Sequence, residues 1–265
     1  MKFRFIVIFL IVMPLSVLGG EIEVTIHVDD GYKPFSFTHK GDAKGIYINV
    51  LRTAFSKMTG FKVTIVPIPW NRGKRLMELG HGFGLAPAYF HGHDWPYLYP
   101  YSLPFYTETI IAVCTEMVLK QPKPYWPEDY SRLTIGNVAG FDGWGGDDFR
   151  ALVKKGEIEY HEVDSSEALI RMLVKERLDC IMMENRAFDY ELNVLKKSGA
   201  YNEKTHTQLI KGATIGTDHV YIGYSEPAIK AGKYLHANAF RKAFDEVIYQ
   251  MTKSGEIEQI MDAYK

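Results

Sequence analysis

The sequence predicts an α/β protein built as two lobes, and three observations carry that expectation. A strand-like alternation, a helical stripe and a second alternation follow one another over residues 21–68 with the spacing of a βαβ unit. A second set of the same kind begins at Leu133. Between the two sets, the Pro-rich run at 121–127 interrupts the pattern and marks a lobe boundary.

Taken in order, the chain opens with Lys2 and Arg4, continues through an apolar run at 5–18 broken by Pro14, and reaches Gly19 and Gly20. This is the pattern of a secretory signal peptide over 1–20, cleaved after Gly19 or Gly20, because the apolar core falls short of the roughly 20 residues that a membrane span needs. An uncleaved anchor is the alternative; no Cys stands at the cleavage point to accept a lipid. Ile22, Val24 and Ile26 then alternate with polar residues as a half-buried strand, and 29–34 reads as a loop. Ile46, Val50, Leu51, Ala54, Phe55 and Met58 recur at helical spacing, with Gly60 as the stop. A strand at 61–68, a helix at 71–79 ending at Gly80, and a short strand at 84–88 follow.

The apolar, β-branched run at 109–114 reads as the next strand. Past the Pro-rich run come a strand at 133–138, a Gly-rich loop at 140–146, a helix at 147–155, a strand at 158–163, a helix at 166–176 and a strand at 178–183. A strand at 220–224 precedes two helices, 237–253 and 256–264, the first carrying an apolar stripe of Phe240, Ala243, Phe244, Val247 and Met251.

Composition narrows the function. Without its leader the chain keeps about 245 residues, enough for one large domain or two lobes of ordinary size. A net charge of −1, from 31 basic and 32 acidic residues spread along the chain, offers no basic stripe for nucleic acid. Cys114 and Cys180 lie in apolar, strand-like runs, so two buried thiols are expected, and spacing does not assign a disulfide. Aromatic residues make up 14% of the chain, and Trp95, Tyr97, Tyr99 and Tyr101 cluster in a predicted loop. Rings with polar tips suit a wet cleft that grips an organic solute.

Motifs for other chemistries are weak. His91, His93 and Asp94 lack a strand or helix to fix them as metal ligands and read as a solvated turn. The loop Gly140-Phe141-Asp142-Gly143-Trp144-Gly145-Gly146 lacks the Lys-Ser/Thr ending of a nucleotide P-loop; it reads as backbone free to approach a ligand. Paired acids, a nucleophile elbow and a Cys–His arrangement are not visible, so no enzyme and no cofactor are expected.

One set of residues, in order and spacing, carries a family likeness. Tyr32-Lys33-Pro34-Phe35 follows the first strand, Gly45 precedes an amphipathic helix, and Ser102-Leu103-Pro104-Phe105-Tyr106 precedes the apolar strand. Ile135 to Gly140 opens the second set, Leu178-Asp179-Cys180-Ile181 follows a helix, and Gly255-Glu256-Ile257 with Tyr264 closes the chain. In these the sequence resembles the family-3 bacterial extracellular solute-binding proteins, which bind polar amino acids for ATP-driven importers. The resemblance implies a type II periplasmic-binding-protein fold: two α/β lobes joined by crossing hinge strands near 107–112 and 219–223. Lobe 1 would comprise 21–110 and 220–265, and lobe 2 residues 111–219. It further implies a periplasmic monomer that closes on a small-molecule solute and serves an ABC permease, with no nucleic-acid partner and no membrane segment after signal cleavage.

Site residues follow from the same resemblance. Tyr32 matches a ring that flanks the solute, the alternative being a plain turn residue. Trp70 matches a wall of lobe 1, or else packs beneath the following helix. Glu184 matches the lobe-2 acid that pairs with a solute ammonium, unless Arg186 or Arg72 neutralises it. The chain departs from the pattern at 86–97, where amino-acid binders carry hydroxyl residues and then an Arg that clamps the solute carboxylate. Ala88 and Tyr89 stand in that stretch, and Trp95 falls at the Arg position. In lobe 2, Phe141 and Asp142 replace hydroxyls and an amide. Either Arg72 or Arg75 supplies the clamp, or the solute has no such carboxylate and is an amine. Two further readings stand beside import: a periplasmic sensor that signals to a membrane receptor, and a small periplasmic enzyme with Glu184 as its acid.

Overall fold

The computed structural model describes residues 20–264. The expected leader up to Gly19 lies outside them. Strand β1 (Ile22–Asp29) points Val24, Ile26 and Val28 into the core, as the alternation requires. A small three-stranded sheet follows, β2 (Gly31–Tyr32), β3 (Ser36–His39) and β4 (Asp42–Lys44), in the segment read as loop. Helix α1 (Ile46–Lys57), strand β5 (Phe61–Ile68), helix α2 (Trp70–Glu78) and strand β6 (Gly84–Ala88) complete the first α/β set. β1 lies between β5 and β6 and is parallel to both.

Strand β7 (Leu98–Tyr101) leads into the long strand β8 (Tyr106–Thr115). After two single 3₁₀ turns come β9 (Thr134–Val138), α3 (Gly146–Lys154), β10 (Glu159–Val163), α4 (Ser166–Val174), β11 (Cys180–Glu184) and α5 (Asn185–Lys197). The 17-residue β12 (Leu209–Ser225) and helices α6 (Glu226–Lys230), α7 (Ala237–Lys253) and α8 (Glu256–Asp262) finish the chain. The main sheet runs β10-β9-β11-β8-β12-β6-β1-β5, with β7 beside β12. Its ends are parallel α/β sets, and its middle is the antiparallel pair β8/β12.

Those middle strands make the two crossings. The first part of β12, from Leu209 to Val220, pairs with β8, whereas Tyr221, Gly223 and Tyr224 pair with β6. The predicted strand at 220–224 is thus the last part of a longer one. Its first part is not legible in the sequence because Lys211, Gly212 and Gly216 break the alternation that marks a half-buried strand. The Pro-rich run follows the end of β8, which is still paired to β12 at Thr115 and to β11 at Cys114.

Lobe 1 packs α7 through Phe240, Phe244, Ile248 and Met251, with Phe55, Phe61 and Phe83 ringed around Phe240 and Phe244. Ala243 and Val247 of the expected stripe sit at its margin, half-buried. In lobe 2 the expectation of two buried thiols is corrected: Cys114 and Cys180 are bonded as a disulfide. They stand directly opposite one another on antiparallel β8 and β11, a relation that sequence spacing does not reveal. Among the described residues no helix is long and apolar enough to cross a membrane.

Candidate functional site

The strand ends of lobe 1 converge on an aromatic cage. Its walls are the rings of Tyr32, Trp70, Tyr89 and Trp95, with Pro87 and the Asp29 carboxyl completing the lobe-1 side. Lobe 2 contributes one lining residue, Phe141. The rings are packed together and leave a cavity of only about 10 Å³. Its rings meet edge to face: Trp70 and Trp95 at 5.7 Å between centroids, Tyr32 and Phe141 at 5.2 Å.

Each polar tip of the four lobe-1 rings is engaged outward. The hydroxyls of Tyr32 and Tyr89 donate to Glu108 Oε2 at 2.6 and 2.5 Å, and Tyr47 of α1 donates to Oε1 at 2.5 Å. Trp70 Nε1 donates to the Gly140 carbonyl at 3.1 Å, and Trp95 Nε1 to Asp142 Oδ2 at 3.2 Å. Glu108 is fully buried on the crossing strand β8, and sequence reading missed it. A lone carboxylate inside the run Tyr106 to Thr115, otherwise apolar or hydroxylic, was the available signal.

Three buried carboxyls gather here with no ion pair among the described residues: Asp29, Glu108 and Glu184. Burial pushes Asp29 up to about 7, against the Gly31 N–H that it accepts at 2.9 Å. Burial likewise raises Glu108, against the three phenol donors. Glu184 is raised by burial and by the Glu108 charge, against the backbone N–H groups of Ala187 and Arg186. Asp142 behaves differently. Its partial burial is outweighed by the Lys74 ammonium at 2.5 Å and the Trp95 N–H, which hold it below the usual carboxylate range.

The predicted residues divide into those the structure brings together and those it does not. Tyr32, Trp70, Tyr89, Trp95 and Phe141 share the cage, and Asp142 sits on its rim through Trp95. Ala88 is fully buried in β6 and lines no part of the cage. Glu184 also stands outside the lining; its carboxylate caps α5 by accepting from Ala187 N at 2.8 Å. Arg72 is exposed, and Arg75 pairs with Glu78 on the surface. Lys74 reaches in where an arginine was expected: α2 starts at Trp70, so i+4 shares the Trp70 face while i+2 points away. Its ammonium donates to the Gly140 carbonyl at 2.9 Å and stands 5.5 Å from the Trp95 ring centroid.

Gly140 and Gly143 of the 140–146 loop let lobe 2 approach lobe 1 closely. A Cβ on Gly140 would lie 2.1 Å from Asn71 Oδ1, and one on Gly143 would lie 2.5 Å from the His91 ring. His91, His93 and Asp94 are separately engaged. His91 packs edge-on to Trp95, His93 is exposed, and Asp94 pairs with Arg150 at 3.5 Å.

No family model matches the sequence, and no curated protein matches it. Solved structures do. An ancestral arginine-binding protein bound to arginine superposes with a TM-score of 0.69 at 13% identity, over 91% of this chain and 97% of that one. The arginine-, lysine-, histidine-binding protein ArtJ from Geobacillus stearothermophilus gives 0.66 at 14% identity, over 92% and 95%. A histidine kinase sensor domain with similarity to periplasmic binding proteins gives 0.70 at 13%, over 92% and 96%. At such identity the likeness is one of fold.

Proposed function

We infer that this chain, which has the two-lobed α/β fold of the periplasmic binding proteins, is an exported receptor that captures a small amine-bearing solute between its lobes. It then passes the solute to an ABC-type importer. One observation carries the reading: the cage is built on lobe 1 and capped by a single lobe-2 residue, Phe141, so a guest touching both lobes favours the closed form. Asp29 is the buried carboxyl in the cage lining and makes no ion pair among the described residues, and a cationic guest would supply one. Proteins of this fold that bind arginine also hold a cationic solute.

The leader and the disulfide both support export, since disulfides persist in oxidising compartments. Binding is favoured over catalysis because the acid named for an enzyme, Glu184, caps a helix and does not line the cage. Sensing is the second reading, favoured by the kinase sensor domain of the same fold. Loss of solute uptake in a deletion strain supports import; intact uptake with lost signalling supports sensing.

Thermal-shift screening of the protein without residues 1–20, against amines and standard amino acids, tests the reading. At about a hundredfold excess over Kd, a ligand adds roughly 2.7 kcal/mol, which raises Tm by about 5–10 °C for a chain of this size. A library in which no organic cation moves Tm would refute it.

A further inference from the structure

The chemistry of the cage wall is more selective than an amine in general. We propose that the cage is a receptor for a methylated ammonium head group, tertiary or quaternary, and discriminates against primary amines of the same skeleton. The inference rests on the solute-receptor reading above and names the class of solute.

What faces the cavity decides this. The Tyr32 and Tyr89 hydroxyls are turned away onto Glu108, and the Trp70 and Trp95 N–H groups are turned away onto Gly140 O and Asp142. The cavity therefore sees ring surface, with Asp29 as the one carboxyl in its lining. Ring faces are negative and attract a cation without accepting a directed hydrogen bond. Phenols that donate to a carboxylate gain electron density in the ring, which deepens that attraction for Tyr32 and Tyr89. A primary ammonium carries three N–H donors, and Asp29 alone cannot satisfy them in a buried site. A methylated ammonium brings few or no donors and spreads its charge over apolar methyl groups that fit against rings.

Lys74 shows the same preference from within the protein. Its primary ammonium stands beside Trp95 but does not line the cage; it stays where Gly140 O and Asp142 accept its N–H groups. The cavity between the rings is only about 10 Å³, so a guest has to part them to enter. Because the rings already touch edge to face, the guest enters as the lobes part and Phe141 withdraws.

Isothermal titration with matched pairs tests the proposal: choline against ethanolamine, and trimethylglycine against glycine. The methylated member of a pair should bind at least tenfold tighter. Trp95→Phe should keep that ratio and Trp95→Leu should lose it, near-UV circular dichroism confirming that both variants are folded. A primary amine binding as tightly as its methylated partner overturns the proposal and leaves the receptor reading intact. The same holds if both pairs fail while another primary amine binds. If no organic cation binds, both fall.

Discussion

Glu108 combines full burial, three phenol donors and the absence of an ion pair among the described residues. Three charge-assisted hydrogen bonds lower the cost of the buried charge, yet desolvation still wins and the carboxyl is raised. The sign of the linkage follows. A raised carboxyl binds more protons folded than unfolded, so its contribution is intact at acid pH and is lost as pH rises from about 4 through the folded value. For Asp29, raised to about 7, the loss is on the order of 4 kcal/mol across that window. Asp29 and Glu108 should therefore contribute more stability at pH 5 than at pH 8, opposed by the partly buried imidazoles of His27, His91 and His236, and Glu108→Gln should remove part of that acid-side contribution. Urea midpoints measured across pH check both, and a slope unchanged in the variant would remove Glu108 from the set. The role of Glu108 is not legible in the sequence because it depends on β8 passing behind Tyr32, Tyr47 and Tyr89. Those contacts join positions 19 to 76 residues apart, which no local pattern encodes.

Elements with a clear period were legible: β5 and α7 have the predicted bounds, and α1 differs by one residue. Elements whose existence depends on a partner were not. α5 has a sparse apolar face that buries Ala187, Phe188 and Leu195 with Glu191 among them, and its cap is a Glu. β2, β3 and β4 are two to four residues long and are held by one another and by packing on α1, β1 and β5. The disulfide belongs to this scale too, because it needs the register of β8 on β11. It closes a loop of 66 residues, which in the chain-entropy model stabilises the fold by about 4 kcal/mol. Reduction under native conditions, or the double variant Cys114→Ala with Cys180→Ala, should lower the urea-derived stability by up to that amount. A loss below about 1 kcal/mol would mean that the β8/β11 ladder alone holds this region.

The relation of the lobes is set by a latch around α2. Trp70, Asn71 and Lys74 of lobe 1 bond the backbone of Ala139 and Gly140, and Lys74 and Trp95 bond Asp142. Most of these groups hold the lobes together without a guest, so closure has an intrinsic bias that the solute adds to. Lys74→Ala should shift the solute-free molecule toward an open form, seen as a larger radius of gyration in small-angle scattering, while saturating solute restores the compact value. An unchanged radius would show that the latch does not set the equilibrium. Sequence anticipated two lobes and the rings between them. The latch stayed hidden because it turns on the helix starting at Trp70, which places Lys74 and not Arg72 on the inner face.

The passage of β12 from one lobe into the other has a consequence for the order in which the molecule is made. Lobe 2 is assembled from neighbouring stretches of chain between β8 and β12. The β6 edge of lobe 1, by contrast, waits for Tyr221 to Tyr224, and its α1 face waits for α7 and α8. At about 5–20 residues per second, roughly eight to thirty seconds of synthesis separate Ala88 from Phe240. Throughout that interval the amino-terminal α/β set lacks the strand and the helices that complete its core.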